Sequence, residues 1–188
     1  MNKTKRKIFE IAMKLFAEKG YEATSIEEIT ATVGVAKGTL YYHFSSKEEI
    51  FNFLVEEGVK LLKNSIEIKI ARCNNSIDKL RAVNLLQLKF IVKYENLITI
   101  VLSELWGNSS RNKFCKEIIQ DYMSVIEQIV VEGMNNGEII EADSKLVTSE
   151  IFSLICSTLV HKKVYNNPID ITKLSKEYEN TIINKFKA

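Results

Sequence analysis

Between Thr24 and Lys47 the sequence places hydroxyls, lysines, tyrosines and a histidine around two short helical patterns joined at Gly34-Val35. Side chains of these types hydrogen-bond to anions and to base edges; they do not form a bond-breaking set. Ser25-Ile26-Glu27-Glu28 is a capping box, in which the Ser25 hydroxyl and the Glu28 carboxylate satisfy each other's free backbone donors at a helix start. Ile26, Ile29 and Val33 follow at helical spacing, and Gly34 stops the pattern. The third helix is predicted from Ala36 to about Phe44, with Leu40 and Phe44 facing inward and Lys37, Gly38, Thr39, Tyr41, Tyr42 and His43 outward. Two overlapping capping-box matches in Ser45-Ser46-Lys47-Glu48-Glu49 start the fourth helix.

Two short helices around a glycine turn are the layout of a helix-turn-helix, whose second helix lies in the major groove. Lys37 can donate to guanine or to phosphate, and Thr39 offers both a hydroxyl and a methyl group. Gly38 has no side chain, so a helix bearing it can come close to a duplex. The alternative is a plain helical bundle, in which Tyr41 and Tyr42 pack on the fourth helix and Lys47 is a surface lysine. His43 has no neighbouring nucleophile and no orienting partner, so it suits phosphate donation better than base catalysis. His161 reads as a surface histidine at a helix end.

Thr24-Ser25-Ile26-Glu27-Glu28-Ile29, Gly34-Val35-Ala36-Lys37-Gly38-Thr39-Leu40-Tyr41-Tyr42-His43-Phe44 and Ser46-Lys47-Glu48-Glu49-Ile50 together resemble the DNA-binding signature of the TetR family of bacterial transcriptional regulators. The resemblance covers about residues 6–52 and departs mildly at Thr30 and Val33, where the family often has alanine. It implies that Thr24 and Ser25 anchor the second helix to phosphate. Lys37, Gly38, Thr39 and Tyr41 would face bases, and Tyr42, His43 and Lys47 would hold the backbone. The implied protein is a dimeric repressor of a pseudo-palindromic double-stranded DNA operator, released by a small-molecule effector. Neither a cofactor nor a metal is expected.

The helices that must carry this motif are legible in composition. The 188 residues contain only 7 Gly and 1 Pro, well under the roughly 12% of average usage. Turns are therefore few and elements long, and the fold is expected to be all-α. Charges total 26 Lys+Arg against 24 Asp+Glu. Residues 1–47 hold eight basic and five acidic residues, an excess of +3 that leaves −1 for the remainder. The longest stretch free of Asp, Glu, Lys and Arg, Ile151 to His161, is too short to cross a bilayer. A basic terminus without an apolar signal core points to a cytoplasmic protein with no membrane partner. Cys73, Cys115 and Cys156 lack paired spacing and read as reduced thiols, and only His43 and His161 could join them in a metal site. A small helical enzyme is the rival class, but no Gly-rich phosphate loop or spaced catalytic set supports it.

Later breaks at Gly107-Asn108-Ser109-Ser110, Asn135-Asn136-Gly137 and Asn166-Asn167-Pro168 divide the remainder into predicted helices near 77–93, 95–106, 111–135, 143–165 and 170–187. The expected organisation is a three-helix DNA-binding domain at 1–47 and a larger helical effector-binding and dimerisation domain at 48–188. Phe90, Tyr94, Trp106, Phe114 and Tyr122 are candidates to line an apolar or aromatic effector, or else ordinary core aromatics. Ile151, Ile155 and Leu159 lie in a segment apolar nearly all round, and Leu174, Tyr178 and Ile182 recur every four residues. Both stripes can cover the domain's own core, and the resemblance favours a four-helix dimer interface. The fourth helix, as the continuous connection between the domains, is the expected lever.

Overall fold

The computed structural model describes residues 3–188; Met1 and Asn2, the start of the basic terminus, lie outside the described residues. Among the described residues there are eight α-helices: α1 (Lys3–Lys19), α2 (Ile26–Val33), α3 (Lys37–His43), α4 (Lys47–Ile70), α5 (Ser76–Ser103), α6 (Ser110–Asn135), α7 (Ser144–Tyr165) and α8 (Ile171–Thr181). The all-α expectation holds, since the sole extended pairing among these residues is one bridge between Ile139 and Lys187. None of the described helices is long and apolar enough to cross a membrane.

The local signals act as their chemistry dictates. Ser25 Oγ accepts from the Glu28 N–H at 3.1 Å, and Gly34 ends α2 in the left-handed region at φ 75°, its N–H donating to Thr30 O. A residue with a Cβ takes that conformation only under strain. Of the two overlapping boxes before α4, half of the second forms: Ser46 Oγ accepts from the Glu49 N–H at 3.0 Å. The Glu49 carboxylate accepts from the N–H and hydroxyl of Ser45 and not from the Ser46 N–H, as the Glu28 carboxylate pairs with Lys19 and not with Ser25. Thr30 is buried in α2 beside Val33, its hydroxyl donating to Glu27 O, so both departures from alanine fit the packing.

Two predicted boundaries change. The break at Lys93-Tyr94-Glu95 is a kink inside α5, where Tyr94 alone leaves helical conformation (φ −128°, ψ 35°). Its neighbour Glu95 is held by Lys162 and Lys163 of α7. The last predicted helix stops at Thr181 and continues as a 3-10 turn at Ile183–Phe186. That turn carries the chain end to Ile140, whose N–H donates to Phe186 O at 2.9 Å.

The chain divides into two compact units. One holds the chain up to Gly58 with Asn96–Ile118, the other Val59–Glu95 with Ile119–Ala188. By these ranges α5 and α6, as well as α4, contribute turns to both units. The fourth helix is therefore one of three continuous connections.

The first unit is built on an aromatic cluster. Phe16, Tyr21 and Phe51 meet with centroids 5.4–6.0 Å apart, and Phe53 joins Phe9 and Phe44. Such tilted and edge-on contacts add to the stabilisation from burial. There α4 and α5 approach so closely that a Cβ added at Gly58 would lie 1.9 Å from Leu97 Cδ2.

The second unit packs Ile66, Leu80, Leu88, Ile91, Ile126 and Ile151 in its interior. Polar pins fix its helices: Tyr178 of α8 bonds Thr158 of α7 at 2.9 Å, and Lys79 of α5 bonds Glu132 of α6 at 2.7 Å.

All three cysteines are free thiols. Cys115 is buried, and burial pushes its thiol pKa up to about 12.

Candidate nucleic-acid interface

Of the seven residues of α3 only Leu40 is buried. The helix is anchored by one side chain, and Lys37, Gly38, Thr39, Tyr41 and Tyr42 stand exposed. Tyr42 is 85% exposed and Tyr41 45%, so the tyrosines are not core residues of this chain. His43 is half-buried, its ring 5.1 Å from that of Tyr42. A Cβ built on Gly38 meets nothing within 4 Å. A helical glycine costs roughly 0.5–1 kcal/mol against alanine, and packing within this chain does not require it. Room is left for a body outside the chain.

The Lys37 ammonium bonds Glu27 of α2 at 2.5 Å and lies 5.8 Å from the Tyr41 ring centre. The pair is exposed; the Lys37 hydrogen bond and charge hold Glu27 below the usual carboxylate range and raise Lys37 in turn. An exposed pair of this kind is weak, so a phosphate or a base edge can take the lysine. Ser25 is exposed, and while its oxygen accepts from Glu28 its hydroxyl proton remains for an incoming phosphate.

Two of the predicted contacts serve the protein itself. Thr24 is 1% exposed, and its hydroxyl donates toward Gly20 O at 2.9 Å and Leu15 O at 3.3 Å. A buried hydroxyl closing the end of α1 does not reach phosphate. Lys47 turns inward as well: its ammonium donates to Tyr21 O at 2.8 Å, Thr24 O at 3.0 Å and Glu22 O at 3.4 Å, and sits 4.3 Å from the Tyr21 ring centre. With three protons directed at three carbonyls, it fixes the loop from which α2 starts.

Sequence reasoning missed Arg111. Its guanidinium lies 3.9 Å from the Tyr21 ring centre and pairs with Glu104 at 3.0 Å and Glu22 at 3.2 Å. Ser110 adds a hydrogen bond to Glu48 at 2.9 Å. These interactions tie the start of α6 to the α1–α2 loop and the start of α4, all within the first unit. No local pattern announces them, because the partners are up to 89 residues apart.

The candidate effector residues do not form one cluster. Trp106 and Phe114 belong to the first unit; Trp106 is 81% exposed, on the 3-10 turn Glu104–Trp106, so it walls no interior site in this chain. In the second unit the rings of Phe90 and Tyr94 meet tilted with centroids 4.7 Å apart, and those of Tyr122 and Phe152 with centroids 6.2 Å apart.

The dimer expectation needs a correction. Ile151, Ile155 and Leu159 are buried within the chain itself and offer nothing to a partner. Because α7 is apolar nearly all round, periodicity could not choose which face turned inward. Its outward stripe is Leu146, Ser149, Ser153, Ser157, Val160 and Val164, with Leu146, Val160 and Val164 each at least 60% exposed. Leu174, Tyr178 and Ile182 on the last turns are half-buried.

The model for bacterial regulatory proteins of the tetR family matches residues 8–54, and the model for the C-terminal region of YsiA-like protein matches residues 53–185. The chain belongs to the TetR family. It is a DNA-binding transcriptional regulator with an N-terminal helix-turn-helix and a helical C-terminal region. The TetR chain is 28% identical over 170 residues to the fatty acid metabolism regulator protein of Bacillus subtilis, covering 89% of this chain and 88% of that one. Among solved structures, a candidate fatty acid metabolism regulator of Clostridium perfringens superposes with TM-score 0.91 at 30% identity, covering 97% and 99% of the two chains. FadR of Bacillus subtilis, solved in complex with stearoyl-CoA, gives TM-score 0.84 at 27% identity, covering 95% and 97%. The relatives in this family are regulators, not enzymes.

Proposed function

We propose that this TetR regulator is a homodimeric repressor, that α3 reads the bases of a pseudo-palindromic operator, and that a small apolar or aromatic effector releases it. The observation carrying the reading is the exposed face of α3, where Lys37, Thr39, Tyr41 and Tyr42 flank a glycine that no internal packing demands. Lys37, Gly38, Thr39 and Tyr41 face bases; Ser25, Tyr42 and His43 hold phosphates; Thr24 and Lys47 position the motif from inside. Residues 1–47 act as the DNA-binding domain and 48–188 as the effector-binding and dimerisation domain.

Dimerisation is what makes so short a helix specific, because two half-sites one helical turn apart double the base contacts. The exposed α7 stripe of Leu146, Val160 and Val164 separated by serines supports a partner subunit seated there, with α8 beside it. A bound effector favours a conformation whose two recognition helices no longer match successive major grooves, and its leverage equals its differential affinity for the two states. For a hundredfold loss of operator affinity that differential is about 2.7 kcal/mol.

The B. subtilis relative solved with stearoyl-CoA makes long-chain acyl-CoA the first effector class to test. A gel-shift on DNA from around the protein's own gene, with light scattering to fix the mass, is the experiment. A specific band from a dimer that stearoyl-CoA dissolves supports the reading. A folded dimer with no specific band on that DNA argues against operator binding there, and a band indifferent to every acyl-CoA argues against this effector class.

A further inference from the structure

The two helices of the helix-turn-helix carry little positive charge of their own. From Ile26 to His43 the chain has one lysine, Lys37, against two glutamates, Glu27 and Glu28, a net charge of −1 with His43 neutral. The glutamates adjoin in the first turn of α2 but serve different partners. Glu28 pairs with Lys19 at the end of α1. Glu27 Oε1 holds the Lys37 ammonium at 2.5 Å across the α2–α3 turn, and the Tyr41 ring centre lies 5.8 Å from the same ammonium. Both side chains stay open to solvent, Lys37 54% and Glu27 65%. Whatever reaches the Lys37 ammonium from outside therefore also meets a carboxylate. The hydrogen bond from Lys37 keeps that carboxyl below its usual range, so it is an anion at neutral pH.

A lysine ammonium has three N–H donors. One goes to Glu27, and the others remain for DNA, where two kinds of acceptor compete. Guanine O6 and N7 are uncharged acceptors, and the ammonium can donate to them while keeping its carboxylate. A phosphate oxygen is charged, and drawing it to Lys37 sets two anions around one cation. Phosphates are alike on every duplex, whereas base acceptors depend on sequence. A carboxylate in this place therefore weakens binding to wrong sequences more than binding to the right one. Repulsive elements of this kind are a general source of specificity.

We propose that Glu27 is a specificity-determining residue, one that positions Lys37 for neutral base-edge acceptors and opposes its use as a phosphate contact. The proposal rests on the reading that α3 meets bases, and adds to it the repulsive element. Ser25, assigned to phosphate in that reading, caps the turn on which Glu27 stands, so the phosphate chain of a bound duplex runs beside this carboxylate.

The test is fluorescence anisotropy of the full-length protein on its own upstream DNA and on a scrambled duplex of equal length, each over a range of salt. Glu27→Gln, Glu27→Asp and Glu28→Gln are compared with wild type, and melting temperatures confirm that each is folded. Glu27→Gln should raise affinity for the scrambled duplex about fivefold. It should also steepen the salt slope on that duplex by about 0.9, as Lys37 becomes a phosphate contact. Affinity for the upstream DNA should stay within about twofold, so the ratio of the two falls. Glu27→Asp keeps the charge and should keep most of the ratio. Glu28→Gln removes the same charge one residue away, on the Lys19 side, and should leave the ratio as it is. Unchanged scrambled-duplex affinity and slope for Glu27→Gln, or an equal rise for Glu28→Gln, overturns the proposal and leaves base reading by α3 standing. A loss confined to the upstream DNA also overturns it, making Glu27 a direct base contact. A wild-type ratio near one removes the base reading, and this inference with it.

Discussion

The guanidinium carbon of Arg111 lies 3.9 Å from the centre of the Tyr21 ring, and the Lys47 ammonium lies 4.3 Å from the same ring. One tyrosine in the α1–α2 loop thus gathers a cation from the start of α6 and another from the start of α4. The Arg111 side chain is 16% exposed and its partner Glu104 12%. Removing the arginine strands a nearly buried carboxylate, which costs more than losing a surface pair. Arg111→Ala is expected to lower stability by about 2–3 kcal/mol, or roughly 5–10 °C in melting temperature. Scanning calorimetry checks this, and Arg111→Met combined with Glu104→Gln should recover at least half of the loss. A double variant no better than Arg111→Ala would show that the stack on Tyr21, not the charge pair, holds the loop.

Gly38 sets stability against function. A Cβ there meets open space, so Gly38→Ala should raise stability by about 0.5–1 kcal/mol through helix propensity. The same methyl group stands on the exposed face of α3 that is proposed to meet DNA, and operator affinity should fall about tenfold or more. Thermal melts and fluorescence anisotropy on one preparation read both. Unchanged affinity would remove Gly38 from the interface.

Lys47 separates two roles that the sequence alone could not. Deleting a cation that binds phosphate reduces the slope of log affinity against log salt by about 0.9. Because the Lys47 ammonium is spent on Tyr21, Thr24 and Glu22 carbonyls, Lys47→Ala should lower melting temperature and operator affinity together while leaving that slope nearly unchanged. A fall of one full unit with normal stability would return Lys47 to the phosphate-binding set.

The difference between what was legible in the sequence and what was not follows the range of the interactions. Ser25, Gly34 and Ser46 act on backbone groups within four residues, so their roles could be read directly. Leu40 was legible as the inward residue of α3 because its neighbours are polar or glycine. The inward turns of Thr24 and Lys47 depend on carbonyls that only the folded loop brings together, and Arg111 meets Glu22 across 89 residues. On α7 the pattern is helical but nearly uniform, so it does not tell whether Ile151, Ile155 and Leu159 face the chain's own core, as they do, or a partner. The exposure of Trp106 is not legible either, because aromatic type says nothing of exposure.

Glu95 adds to the acid sensitivity of the second unit. The hydrogen bond from Lys162, and after it that from Lys163, hold its carboxyl below the usual range. A depressed folded value gives stability that is present above the unfolded carboxylate value of about 4.3 and is lost as pH falls through the folded value. Glu95→Gln is expected to lower the melting temperature by about 2–4 °C at pH 7, the gap closing as pH is taken down through the carboxylate range. A gap that persists in acid would assign the effect to packing at the Tyr94 kink.

The central claim is that α3 reads sequence. Its most direct test is the ratio of affinities of the full-length protein for its own upstream DNA and for a scrambled duplex of equal length, measured by anisotropy at one stated salt concentration. The expected ratio is about 10³ or more, with Lys37→Ala lowering it by about tenfold or more while scarcely altering scrambled-DNA binding. A ratio near one in the folded wild-type protein, or equal losses on both duplexes for Lys37→Ala, would contradict it.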